Sequence, residues 1–139
     1  MGKRIFFAGI IAIIGFSVAA CASVGKNDEL KLSDFLGTWK DSDGSAFTIT
    51  ETEFTWKFGI RSTSYSFTID SVTPAVNTRD NHKDNYPTGL TFSGTVTALN
   101  RATWVTVGSA YSITLFMHKD KQSINEDALN LQPYSRLTN

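Results

Sequence analysis

Residues 47–69 read FTITETEFTWKFGIRSTSYSFTI, and the stretch has a period of two. Phe47, Ile49, Phe54, Trp56 and Phe58 fall on one side, while Thr48, Thr50, Thr55 and Lys57 fall on the other. Tyr65, Phe67 and Ile69 then alternate with Ser64, Ser66, Thr68 and Asp70. Successive side chains of an extended chain point to opposite faces, so this alternation marks strands with one buried and one solvated face. Threonine suits the solvated face because it is β-branched, which favours extended backbone, yet polar. Glu51-Thr52-Glu53 and Gly59-Ile60-Arg61 break the pattern and separate one strand from the next.

The same pattern continues on either side. Leu90, Phe92 and Val96 alternate with Thr91, Ser93, Thr95 and Thr97; Tyr111, Ile113, Leu115 and Met117 alternate with Ser112, Thr114, Phe116 and His118; Leu129 and Leu131 flank Asn130. Upstream, Asp41-Ser42-Asp43-Gly44 predicts a tight hairpin turn, since Asp-Gly favours left-handed backbone. Only Ser33 to Leu36 reads as helical, and only for a single turn. Eight or nine closely spaced strands predict an all-β domain, an antiparallel barrel or sandwich. A parallel α/β fold is excluded for want of crossover helices. A membrane-spanning barrel needs an apolar outer face, and here that face is rich in Ser and Thr. The polar segment Pro74 to Gly89 reads as one long connection, either a disordered hairpin tip or a ligand lid.

The N-terminus is of another kind. Lys3 and Arg4 precede the uncharged, apolar run Ile5 to Phe16, and the small residues up to Cys21 follow. Charge, apolar core and small residues in that order are the signature of a secretory signal peptide. The apolar run is too short for a membrane helix, which needs about 20 apolar residues. Val18-Ala19-Ala20 would also suit an ordinary signal-peptide cleavage site. However, Cys21 is the chain's one cysteine, and it stands where lipidation requires it. Val18-Ala19-Ala20-Cys21 resembles the lipobox of bacterial lipoproteins. The resemblance implies cleavage before Cys21, a diacylglycerol thioether on its sulfur and an acylated amine, with palmitate among the acyl chains. Several chains give stable anchoring where one is marginal. The expected organisation is a signal peptide at 1–20, a lipidated tether at 21–32 and a folded domain at 33–139. If the residue after the cysteine sorts lipoproteins, Ala22 resembles an outer-membrane address in the bacterial envelope.

Cleavage leaves 119 of 139 residues, enough for one domain with a real core. With one cysteine no intramolecular disulfide can form. Loss of Lys3 and Arg4 takes the 13 basic residues to 11, against 13 acidic ones. So small a net charge argues against nucleic acid as a partner and leaves membrane attachment to the lipid on Cys21.

Phe35-Leu36-Gly37-Thr38-Trp39-Lys40 places Gly-x-Trp at the start of the first strand, which resembles the opening motif of the lipocalins and their bacterial lipocalin-like relatives. The resemblance implies a small up-and-down barrel of about eight strands, with Trp39 plugging the closed end. A basic residue from the last strand crosses the indole in that family. Arg136, in Pro133-Tyr134-Ser135-Arg136-Leu137, is suitably placed for it, giving a barrel-closing set of Gly37, Trp39 and Arg136. The chain departs from the larger lipocalins in being shorter and lacking a C-terminal helix. Phe47, Phe54, Trp56, Phe58, Phe67 and Phe92 have enough bulk to fill so small a barrel themselves.

Catalytic patterns are absent: there is no Gly-x-Ser-x-Gly elbow, no His-Glu-x-x-His and no phosphate-cradling glycine loop. His82 sits beside Asp80 and Asp84 in the polar segment, where a solvated loop explains the trio better than a metal. His118 reads as exposed at a strand end. Asp41 to Gly44 has its glycine too early for a calcium loop. The expectation is therefore a non-enzymatic barrel without cofactor or metal, binding a small hydrophobic or amphipathic ligand. The alternative is a protein-interaction or protease-inhibitor-like module acting through its loops.

Overall fold

The computed structural model describes residues 29–126 and 132–138. The expected signal peptide, Cys21, most of the expected tether and Leu129–Leu131 lie outside them. A single helical turn, α1 (Leu32–Phe35), leads into β1 (Gly37–Lys40), β2 (Ala46–Ile49), β3 (Glu53–Phe58), β4 (Thr63–Thr68), β5 (Ser71–Val76), β6 (Thr88–Asn100), β7 (Ala110–Met117), β8 (Ser123–Glu126) and β9 (Tyr134–Arg136). From β1 to β4 each strand pairs antiparallel with the next, and β5 to β9 do the same. β9 returns to β1, with Trp39 opposite Arg136.

Nine strands make eight staves. β4 and β5 are two halves of one bent stave, because both run against the long β6: Tyr65 faces Leu99 and Ser71 faces Ser93. The circuit closes as an antiparallel up-and-down barrel, and the sandwich alternative is excluded. The bend between β4 and β5 follows a register shift at Ser66/Phe67 and depends on Gly94, where the Thr68 carbonyl oxygen fills the space a Cβ would need.

The alternation has the predicted consequence. Phe47, Phe54, Phe67 and Phe92 point inward and are wholly buried, together with Phe35, Trp39, Leu115 and Ile124. Their rings touch in sequence across the lumen: Phe35–Phe92 at 5.5 Å, Phe92–Phe54 at 5.7 Å, Phe54–Phe67 at 4.8 Å and Phe47–Tyr134 at 4.4 Å between centroids. Each such ring contributes about 1.5–3 kcal/mol by burial. The outer face carries hydroxyl pairs between neighbouring strands, among them Thr55–Ser66 at 2.9 Å, Thr91–Thr114 at 2.7 Å and Ser93–Ser112 at 2.8 Å.

Two sequence expectations need correction. Pro74–Val76 belong to β5 and Thr88–Gly89 to β6, so the connection is only 77–87. Pro74 is tolerated because β5 pairs on one side alone, and its missing N–H costs no ladder bond there. The connection is also tied down rather than loose. Buried Asn77 donates Nδ2–H to the Tyr86 carbonyl (3.0 Å) and accepts the Arg79 amide (3.0 Å), while the Lys119 amide reaches the Asn85 carbonyl (3.1 Å). His118 is not freely exposed either. It lies 2.8 Å from Asp120 and edge-on to Tyr86, with its side chain 28% accessible.

Candidate functional site at the barrel mouth

The two ends of the barrel are built differently. At the end where the chain enters, α1 lies across the opening, with Leu30 and Leu32 packed on the core. Gly37 begins β1 with φ of +115°, a backbone that only glycine adopts without strain. Trp39 is wholly buried, and its indole N–H donates to the Phe35 carbonyl at 2.8 Å. The Arg136 guanidinium lies 4.1 Å from the centre of that indole. It also donates to the carbonyls of Leu36 (2.9 Å) and Asp34 (2.6 Å). Thus one side chain satisfies two carbonyls left over at the end of α1 while contacting an aromatic face.

Asp34 completes the closure. It accepts the Lys31 amide at 2.8 Å and pairs with Lys121 at 3.1 Å. Burial pushes its carboxyl up, but the Lys31 amide and the Lys121 ammonium outweigh that and hold it below its ordinary 3.8. The 77–87 connection lies at this end too, because it meets His118 and Lys119 beyond β7. It is therefore not a lid over the open mouth.

The opposite end is formed by the 41–45 hairpin turn, the 59–62 turn and the segment 101–109. Asp41 organises the first of these through its Oδ1, which accepts the amides of Asp43 (2.9 Å) and Ser45 (2.8 Å). Between the other two lies a pocket of about 330 Å³, lined by Trp56, Phe58, Arg61, Thr63, Arg101 and Trp104, among others. Trp56 stacks on Tyr65 at 5.4 Å, and Trp104 stands nearly perpendicular to both, 5.9 and 6.4 Å away. Tyr65 donates its hydroxyl to Tyr111 at 3.3 Å. Burial, the Tyr111 hydrogen bond and the charge of Glu126 all push the Tyr65 phenol upward, so it stays neutral.

The mouth is an aromatic cup set on a packed floor. Trp56, half-buried, joins the rings of the floor to Trp104, which is 56% accessible. Arg61 and Arg101 both reach this cup, and neither forms an ion pair with a described residue.

Of the residues singled out from sequence, Gly37, Trp39 and Arg136 are brought together at the closed end, and Cys21 lies outside the described residues. Asp80 pairs with Lys83 at 2.6 Å, and no group of three metal-ligating side chains occurs among the described residues. Trp104, Arg61 and Arg101 are not marked by any sequence motif. Trp104 had a signal: a large aromatic in Arg101-Ala102-Thr103-Trp104, a polar stretch where no strand alternation accounts for it.

No protein-family model matches the chain, and no curated protein or solved structure matches it either.

Proposed function

We propose that this chain is a non-enzymatic, lipocalin-like binding protein of the bacterial envelope, anchored through lipid on Cys21, that takes a small amphipathic molecule at the mouth of its barrel. The observation that carries the reading is the cup of Trp56, Phe58 and Trp104 with Arg61 and Arg101 on its rim. Ligand pockets span about 300–1,000 Å³, are mainly apolar and carry a few polar groups that orient the ligand. At about 330 Å³ this one is at the small end. Below it Phe47, Phe54, Phe67 and Phe92 occupy the lumen, so a long acyl chain has no depth to enter.

The orientation follows from where the chain enters. Leu30 and α1 pack at the closed end, so a lipid on Cys21 would hold that end toward the bilayer and turn the mouth away from it. Such a placement suits capture from the aqueous side of an outer-membrane anchor.

Native mass spectrometry of the detergent-released protein tests the binding reading. A small bound molecule that is retained by the wild type and lost in Trp104→Ala supports it. Wild-type protein that carries no small molecule, and takes up none from a panel of one- and two-ring amphiphiles, would sink it.

A further inference from the structure

We infer that the ligand of the mouth is a flat aromatic anion, one or two rings bearing a carboxylate or sulfonate, held between the indoles and the two arginines, Arg61 and Arg101, that line the cup. This inference rests on the mouth-binding reading above and adds a ligand class to it.

Charge is the first argument. Two arginines line one small pocket, and neither has an anionic partner among the described residues. An anion seated in the cup would have two cationic side chains within its lining to pair with. A guanidinium is also the side chain best suited to a carboxylate or sulfonate, because its planar fork offers parallel N–H donors and it stacks on aromatic faces.

Shape is the second. The walls are the rings of Trp56, Phe58 and Trp104, with Trp56 and Phe58 inclined at 35° and Trp56 and Trp104 at 74°. A ring entering this cup meets one indole face-on and another edge-on, the two arrangements that aromatic pairs prefer. The filled lumen beneath limits the guest to the cup itself.

Backbone is the third, and it does not depend on the charges or rings of the cup. Ser62, directly after Arg61, has φ of +46°, and Arg101 has φ of +56°. These are two of the three non-glycine residues with positive φ among those described; the third, Lys121, is in the turn at the closed end. The left-handed region costs an ordinary residue about 1–2 kcal/mol. The surroundings hold both residues there: the Asn100 side-chain amide donates to the Ser62 carbonyl at 2.7 Å, and Ser64 bridges to Arg101. The two arginine-bearing segments are thereby tied to one another, so both arginines start from one fixed stretch of backbone. Strain retained beside arginines that have no ionic partner among the described residues is the pattern expected of a preorganised site.

The test is calorimetric titration of the full chain in a neutral detergent, with blank micelles subtracted, using 2-naphthoate and the uncharged 2-naphthylmethanol. The expected result is saturable binding of one naphthoate per chain, at least tenfold tighter than the alcohol. Arg61→Gln with Arg101→Asn should bring naphthoate down to the level of the alcohol and leave the alcohol unmoved. Asparagine tolerates the left-handed backbone at 101, so this variant keeps the fold, which far-UV circular dichroism verifies. Equal binding of the two probes, or naphthoate binding unchanged in the arginine variant, overturns the anion inference. If the probes bind equally and Trp104→Ala abolishes both, the mouth reading survives while the ligand class is wrong. If neither probe binds, or if Trp104→Ala changes nothing, the mouth site fails and takes this inference with it.

Discussion

The closed end and the open mouth use the same residue types for opposite ends. At each, the fold gathers tryptophan and arginine: Arg136 lies over Trp39 at one end, and Arg61 and Arg101 line a pocket with Trp56 and Trp104 at the other. At the closed end Trp39 is fully buried, and the Arg136 guanidinium lies over its indole and donates to the Asp34 and Leu36 carbonyls at the end of α1. At the mouth Trp104 is more than half accessible, and Arg61 and Arg101 have no ionic partner among the described residues. The first arrangement spends its interactions on the fold. The second leaves them open among the described residues, and that difference is what separates a plug from the proposed binding site when sequence alone shows Trp and Arg in both.

Breaking the plug should have the largest effect. Trp39→Ala removes a wholly buried indole and the bond to the Phe35 carbonyl, for an expected loss of about 3–5 kcal/mol. Single domains have only about 5–15 kcal/mol in all. The variant should therefore unfold at much lower urea, or not fold. A midpoint close to wild type would mean that α1 and its neighbours close the barrel without the indole.

Arg136→Lys probes the same end more finely. Lysine keeps the charge but loses the planar fork that reaches the Leu36 and Asp34 carbonyls together. The expected cost is about 1–2 kcal/mol, again from urea midpoints. Wild-type stability would show that charge near the indole suffices and that the fork is incidental.

How much of this was legible in the sequence follows from the length and purity of each alternating run. β3, β4 and β7 run for six or eight residues, long enough for period two to show in the sequence, although β7 buries Phe116 as well as Leu115 and Met117. β8 and β9 have four and three residues, too few to show a period, and the alternation that the sequence does show nearby, at Leu129 and Leu131, lies outside the described residues. β5 contains Pro74 and reads as loop, because nothing local says that its second edge has no partner. Gly37, Trp39 and Arg136 were legible through their resemblance to a known pattern. Arg61 and Arg101 were not. They lie 40 residues apart, and what unites them is the pairing of β4 with β6, a long-range contact that no window reveals.

Asp34→Asn should cost less, about 1 kcal/mol at neutral pH, through loss of the Lys121 ion pair and weakening of the bond from the Lys31 amide. The sign of its pH dependence is set by the lowered folded-state value. A carboxyl held below 3.8 stabilises the fold while ionised, fully so above that unfolded value, and the gain is lost as pH falls through the folded one. Wild type and variant should therefore differ by a constant amount near neutrality and converge in acid. Parallel acid-unfolding curves check this, and a gap that persists after the carboxyl protonates would contradict it.

The smallest effect on stability should come from the mouth, and it sharpens the comparison most. Trp104→Ala deletes a ring as large as that of Trp39, yet one that is 56% accessible and held by edge contacts to Trp56 and Tyr65. An exposed side chain away from caps and buried networks usually changes stability by no more than about 0.5 kcal/mol. The urea midpoint should barely move while ligand uptake at the cup disappears. Loss of several kcal/mol here would mean that Trp104 is a second plug, that the barrel is closed at both ends, and that the accessible indole is a consequence of packing and not a surface kept free for a guest.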